Sequence, residues 1–438
     1  MAHREAWKCP IKNIIRRMIM SDMTKTLWGQ FMTAFQDQIK IEGVPQMLTG
    51  PTPWNWGGKN PPMGSLPYQQ VQFLNIVPAS PQVDPNTYGM KQGFGDQYRM
   101  FLNFLMADGG EAGQALQQKI SDASHNLFQI QSSVNVAYQN FKQQTSSTES
   151  FDDWLANEGL ASASQLNQAK AQLKEANSNY TEYMQKLKGP ISEATKRYDD
   201  NLVTVVGQDG NSVKDQSAFQ ISETPWDYVN RITGNNFGGA ATAGSAKTFS
   251  LDSSTKQWSD STVYGETELG GLFDFFGFEA GGEYKKVSTE HFSSQYDISF
   301  AFEDVSIVTV TPGNWFNAAM PANYLNGPFM PGHSGFKNGD DAYYFGKGGN
   351  LARIVSQMIV GYRPTITINA GSEFAQQVTE TIRGEGGFFI GPFEFGGAGG
   401  SDSDKGTVKV DGETITCTSS SNWGTVIGLG TNWVVNPR

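Results

Sequence analysis

Cysteine and histidine are scarce in this chain. Its two cysteines, Cys9 and Cys417, stand near opposite ends of 438 residues, so neither a C-x-x-C redox pair nor a dense disulfide frame is available. The four histidines, His3, His125, His291 and His333, belong to no H-E-x-x-H motif and no Cys/His cluster, which leaves transition-metal chemistry without an obvious ligand set. His125 reads as an exposed flank of a helix and His291 as a surface residue of a strand. His333 has a hydroxyl neighbour in Ser334, but adjacency in sequence does not make a catalytic pair.

Other motifs are missing too. There is no G-x-S-x-G elbow, Walker loop or kinase set, and the glycines around Lys347 lack the Ser/Thr that a phosphate loop places after its lysine. The paired carboxylates Asp340/Asp341 and Asp402/Asp404 fit no EF-hand pattern and read as solvated loops. No catalytic residue, cofactor or metal is called for. No apolar run approaches the roughly 18 residues that would span a bilayer. The opening apolar stretch is broken by Arg16 and Arg17, so a secretory signal peptide is not expected either.

Charge is sparse as well. Only 17% of residues are charged, and 32 basic against 43 acidic side chains give a net charge of −11, without the positive field that gathers nucleic acid. Glycine (49 residues) and aromatics (12%) are plentiful by contrast, a composition that suits sheets and turns.

The pattern divides the chain into four. Residues 1–23 form a basic extension, and Met20, opening MSDMTKTLW, is an alternative start. Residues 24–108 hold short helices and a Pro-rich segment. Trp28, Phe31, Met32, Phe35 and Ile39 fall on one helical face from Thr24 to about Lys40, and Asp96 to Met106 predicts a second helix. Between them, residues 45–87 carry nine of the nineteen prolines, which predicts an ordered wrapping segment without regular structure.

Residues 109–200 predict a long helical hairpin. Leu116, Ile120, Ala123, Leu127, Ile130, Val134, Ala137 and Phe141 alternate four and three residues apart, and the spacing returns from Leu166 through Leu173 and Tyr180 to Leu187. Two such seams face each other, with outer faces of Gln, Asn, Ser and Lys that water covers in at least one state. Gly189-Pro190 then interrupts the second helix, and a further helical stretch restarts at Pro190.

From about Asn201 to the end the pattern becomes β. Strands are predicted at Tyr296–Phe302, continuing into a central run apolar on both faces and stopped by Pro312, then at Arg353–Tyr362, Pro364–Asn369 and Gly387–Phe395. Asp411-Gly412 predicts a two-residue type I′ hairpin turn. The fold class is therefore α+β: a helical N-terminal half with a long antiparallel hairpin, followed by a mostly antiparallel β domain.

Residues 234–300 mix hydroxyls, glycine and spaced aromatics, the vocabulary of membrane β-hairpins and of ordinary sandwiches alike. Within them Leu272, Phe273, Phe275, Phe276 and Phe278 are candidate contacts for a membrane or a partner. The function expected is that of a non-enzymatic, membrane-active protein of pore-forming type, soluble until it meets a lipid membrane. A self-associating structural or interaction protein is the first alternative. The second is an enzyme with a site dispersed over Asp297, Glu303, Asp304, Asp340 and Asp341.

Overall fold

Helix α1 (Pro10–Ile39) buries Trp28, Phe31, Met32 and Phe35, the stripe its spacing dictates. In this computed structural model the described residues are 10–41, 43–48, 52–56, 66–77, 82–83, 93–105, 110–145, 149–185, 189–206, 212–234, 246–255, 275–280, 283–289, 291–327, 329, 344–346, 349–384, 387–396 and 406–435. The proline-dense stretch is more regular than its composition suggests. It holds strands β1 (Val44–Leu48), β2 (Pro53–Trp54) and β3 (Leu66–Pro67), helix α2 (Tyr68–Leu74) and strand β4 (Gln82–Val83). Pro45, Pro53 and Pro67 fall at or next to element ends, where a missing N–H costs least.

Five helices follow: α3 (Phe94–Phe104), α4 (Gly110–Thr145), α5 (Phe151–Ala156), α6 (Leu160–Gln185) and α7 (Pro190–Asp200). Gly189 caps α7 and Pro190 takes its first position, where a proline loses no helical bond. At about 1.5 Å per residue α4 is about 54 Å long and α6 about 39 Å. They run antiparallel: Gln117 meets Tyr180, Asn126 meets Gln172, and Val134 and Tyr138 cluster with Leu166.

The C-terminal half contains β5 (Val203–Val206), β6 (Ser212–Gln216), β7 (Phe219–Ile221), α8 (Pro225–Thr233), β8 (Lys247–Asp252), β9 (Phe276–Ala280), β10 (Glu283–Lys286), β11 (Asp297–Pro312) and α9 (Ala319–Asn323). After these come β12 (Arg353–Asn369), α10 (Ser372–Gly384), β13 (Gly387–Ile390), β14 (Phe393–Gly396), β15 (Thr407–Asp411), β16 (Thr414–Thr418) and β17 (Gly424–Trp433). Helices and antiparallel strands coexist as the α+β class requires.

Two long strands, β11 and β12, pair along most of their length and form the spine of a ten-stranded sheet. Each changes its outer neighbour midway. Strand β11 meets β8 over Asp297–Phe302 and β7 over Val310–Pro312, while β12 meets β17 over Arg353–Gly361 and β16 over Thr365–Asn369. The spine thereby serves two apolar cores. One gathers α1, α10, β9 and Phe300, Phe302, Ile366 and Ile368; the other gathers α3, α7, α8 and Val308, Val310, Met358 and Val360.

Four details differ from the sequence reading. Pro364 does not separate two strands: its carbonyl accepts from Ser419 just past the end of β16, so its missing N–H falls where that ladder is already finished. The central run of β11 buries Val305 in the first core and Val308 and Val310 in the second but leaves Ile307 exposed, so its apolar side chains are not all covered. Residues 387–395 form two strands, β13 and β14, turning at Gly391 with φ of 55°. The Asp411 hairpin pairs Asp411 with Thr414, so Gly412 and Glu413 are its turn residues. With positive φ at Gly412 alone, 61°, the turn is of the II′ kind and not I′.

Candidate functional site

Of the five aromatic-segment candidates, the three that the structure describes do not form a surface. Phe275 and Phe276 are fully buried, Phe275 beside Trp28 at 5.1 Å and Phe276 beside Phe374 at 5.2 Å, and Phe278 packs half-buried against the same core. The physical reason is the pairing of β9 with β13, which lays the strand against α1 and α10. Leu272 and Phe273 lie outside the described residues, as do His3, His333, Asp340, Asp341, Asp402 and Asp404.

Nor do the remaining carboxylates converge. Asp297 and Glu303 are exposed, whereas Asp304 points to the opposite side of β11 and is buried. There it accepts from the Tyr228 hydroxyl at 2.9 Å and the Ser306 hydroxyl at 2.7 Å. Burial first, and the Asp304 charge second, push the Tyr228 phenol upward, so this pair acts as a buried hydrogen-bonded brace between α8 and β11. His291 lies 2.9 Å from Glu373 at the surface, and His125 contacts Gln129. Among the described residues no group of His, Cys, Asp or Glu could hold a metal ion.

The unusual chemistry lies instead at the root of the helical hairpin. Two apolar clusters hold the hairpin to itself: Ile120 and Tyr180 with their neighbours near the base, and Val134, Tyr138, Trp154 and Leu166 further out. Every member of both lies on α4, α5 or α6. Where α4 meets α3 and the residue after it, the contacts are polar: Asn103 reaches Ser124 and Gln117 reaches the Leu105 carbonyl. Buried polar side chains follow on each of these helices: Gln117, Ser121 and Ser124 on one side of α4, Asn177 and Thr181 on α6, Arg99 and Asn103 on α3, and Ser192 and Thr195 on α7, with Asp199 of α7 half-buried.

Some of these groups are tied together. Arg99 donates to Asp199 at 3.0 Å and lies over the Tyr198 ring. Asn103 donates to Ser124 at 3.4 Å, and Gln117 donates to the Leu105 carbonyl at 2.6 Å and the Tyr180 hydroxyl at 2.7 Å. Burial pushes the Tyr180 phenol up to about 12, and it draws the buried Arg99 guanidinium down. Yet eight buried atoms have no protein partner: Nε and Nη1 of Arg99, Oδ1 of Asn103 and Asn177, Oε1 of Gln117, and the hydroxyls of Thr181, Ser192 and Thr195. Each such group costs about 1–3 kcal/mol when neither protein nor water completes it.

The sequence reading gave the hairpin outer faces of Gln, Asn, Ser and Lys that water covers in at least one state; Gln117, Ser121 and Ser124, outside the apolar seam, are buried here. Heptad spacing locates the seam between two helices but carries no signal for a third contact on a polar flank. Beyond the root the hairpin is open to solvent and carries Phe128, Val136 and Leu160, three of the five large exposed apolar side chains among the described residues. No described helix is long and apolar enough to cross a membrane. Comparison with protein-family models, with curated proteins and with solved structures finds no match.

Proposed function

We propose that this chain is a non-enzymatic, membrane-active protein of pore-forming type, in which the α4–α6 hairpin is the element that meets the membrane. The observation that carries the reading is the hairpin's attachment: its own apolar clusters hold only residues of α4, α5 and α6, polar side chains join it to α3, and it displays Phe128, Val136 and Leu160. Polar contacts lose less than apolar ones when water replaces them, so such an interface favours a second state. The test is release of an encapsulated dye from phosphatidylcholine vesicles with and without phosphatidylserine, together with electron microscopy for ring-shaped oligomers. Vesicles that stay intact across these compositions and between pH 5 and 8 would sink the proposal.

The same exposed side chains favour a second reading, self-association through the hairpin. Val136 is 60% and Phe128 47% exposed on one helix, and burying such groups between copies is favourable. Light scattering on the purified chain separates the two: oligomers without lipid support assembly, and a monomer that ruptures vesicles supports membrane activity.

A further inference from the structure

We infer that the α4–α6 hairpin leaves α3 and α7 as one rigid unit, opening at the polar root while the body of the protein stays folded. The apolar clusters divide the molecule along that boundary. Those of the hairpin contain residues of α4, α5 and α6 alone, whereas Phe101, Leu105, Ile191 and Tyr198 anchor α3 and α7 in the second core. Hydrogen bonds and ion pairs cross the boundary among the described residues: Asn103 to Ser124, Gln117 to the Leu105 carbonyl, and the exposed pairs Lys174–Asp215 and Gln72–Asp152.

Opening therefore exposes few apolar atoms. It also opens to solvent buried atoms that no protein group bonds, among them Gln117 Oε1, Asn177 Oδ1 and Arg99 Nε. Local stability follows buried apolar contact, so a unit joined through hydrogen bonds opens below the threshold for global unfolding. The Arg99–Asp199 pair stays with the body, because both partners belong to it, and becomes solvated when the hairpin departs.

This step supplies the rearrangement that membrane activity needs, and it is measured without lipid, so the two ideas fail separately. Spin labels carried on unnatural residues at exposed sites report three distances in the full chain: Ser132 to Thr309 between hairpin and body, Ser132 to Lys170 within the hairpin, and Thr309 to Lys409 within the body. In rising urea the first distance should lengthen with a midpoint at least about 1 M below the other two. An oxidised Asn103→Cys/Ser124→Cys cross-link should raise that midpoint to meet the within-body value. Three distances lost together in the uncross-linked protein would overturn the inference, as would a cross-link that leaves the first midpoint where it was.

Discussion

Arg99 on α3 and Asp199 on α7 meet at 3.0 Å with unequal exposure, 5% for the arginine side chain and 34% for the aspartate. The guanidinium donates there through a single nitrogen, Nη2, and its other two nitrogens have no partner. A pair so placed recovers only part of what desolvation takes from it. Replacing Arg99 by Met leaves the carboxylate without its countercharge. The expected loss is about 2–3 kcal/mol at pH 7, less than for a fully buried pair because Asp199 retains some water. The loss should shrink in acid as Asp199 takes up a proton, and urea titrations at pH 4 and pH 7 would show it. A loss equal at both would disprove the account.

The pH dependence has a definite sign. Burial holds the Asp199 carboxyl above its ordinary range; Arg99 and Lys174 pull it back, and Asp200 and Asp215 add to the rise. The folded protein thus holds this proton more tightly than the unfolded chain does. The stabilisation is complete below the unfolded value of about 3.9 and is lost as pH rises through the raised folded value. Asp199→Asn should flatten the stability–pH curve just above pH 4. An unchanged curve would mean that Asp199 is not the group responsible.

Phe276 offers a direct contrast between surface and core. With no exposed area, and rings of Phe275, Phe292, Phe374 and Phe388 around it, Phe276→Ala should cost about 3–5 kcal/mol. Chemical denaturation gives the value. A change below about 1 kcal/mol would show that this ring faces solvent.

Gly412 tests the turn. A Cβ there meets nothing within 4 Å, so the cost of Gly412→Ala is conformational and not steric against neighbours. With φ at 61° the expected loss is about 1–2 kcal/mol, whereas Asp411→Ala, on the strand side of the turn, should change stability by less than about 0.5 kcal/mol. Equal effects at the two positions would favour the I′ assignment.

Long periodic stretches were legible in the sequence and short capped ones were not. Trp28 through Phe35 and Leu116 through Phe141 declared their helices because each repeats an apolar step several times. Helix α8 is nine residues long, yet it carries Thr224 accepting from the Asp227 amide, Pro225 at its first turn and Gly234 at φ of 75°. Those signals were readable as a cap, a start and a stop. The strand-like alternation of the residues around them masks these signals. Helix α10 is hidden in the same way between strands, although Phe374, Val378 and Ile382 recur every four residues and are buried.

The root of the hairpin was illegible for a different cause. Nothing in the spacing of Arg99, Gln117, Asn177 and Thr195 marks them as buried polar residues, since they lie on four different helices and only tertiary packing covers them. Phe276 misled in the opposite direction: an apolar cluster with one charge reads as a patch until β13 is known to cover it.

The sheet itself imposes a wider consequence. Because β11 and β12 belong to both cores, the body has no seam at which it can be cut into modules: a fragment ending before Arg353 would strip both halves of half their keel. Partial synthesis or proteolysis inside that ribbon should abolish all of the body's structure at once. Insertions and grafts belong at the far end of α4 and α6, where the chain can change without disturbing the beam on which everything else is hung.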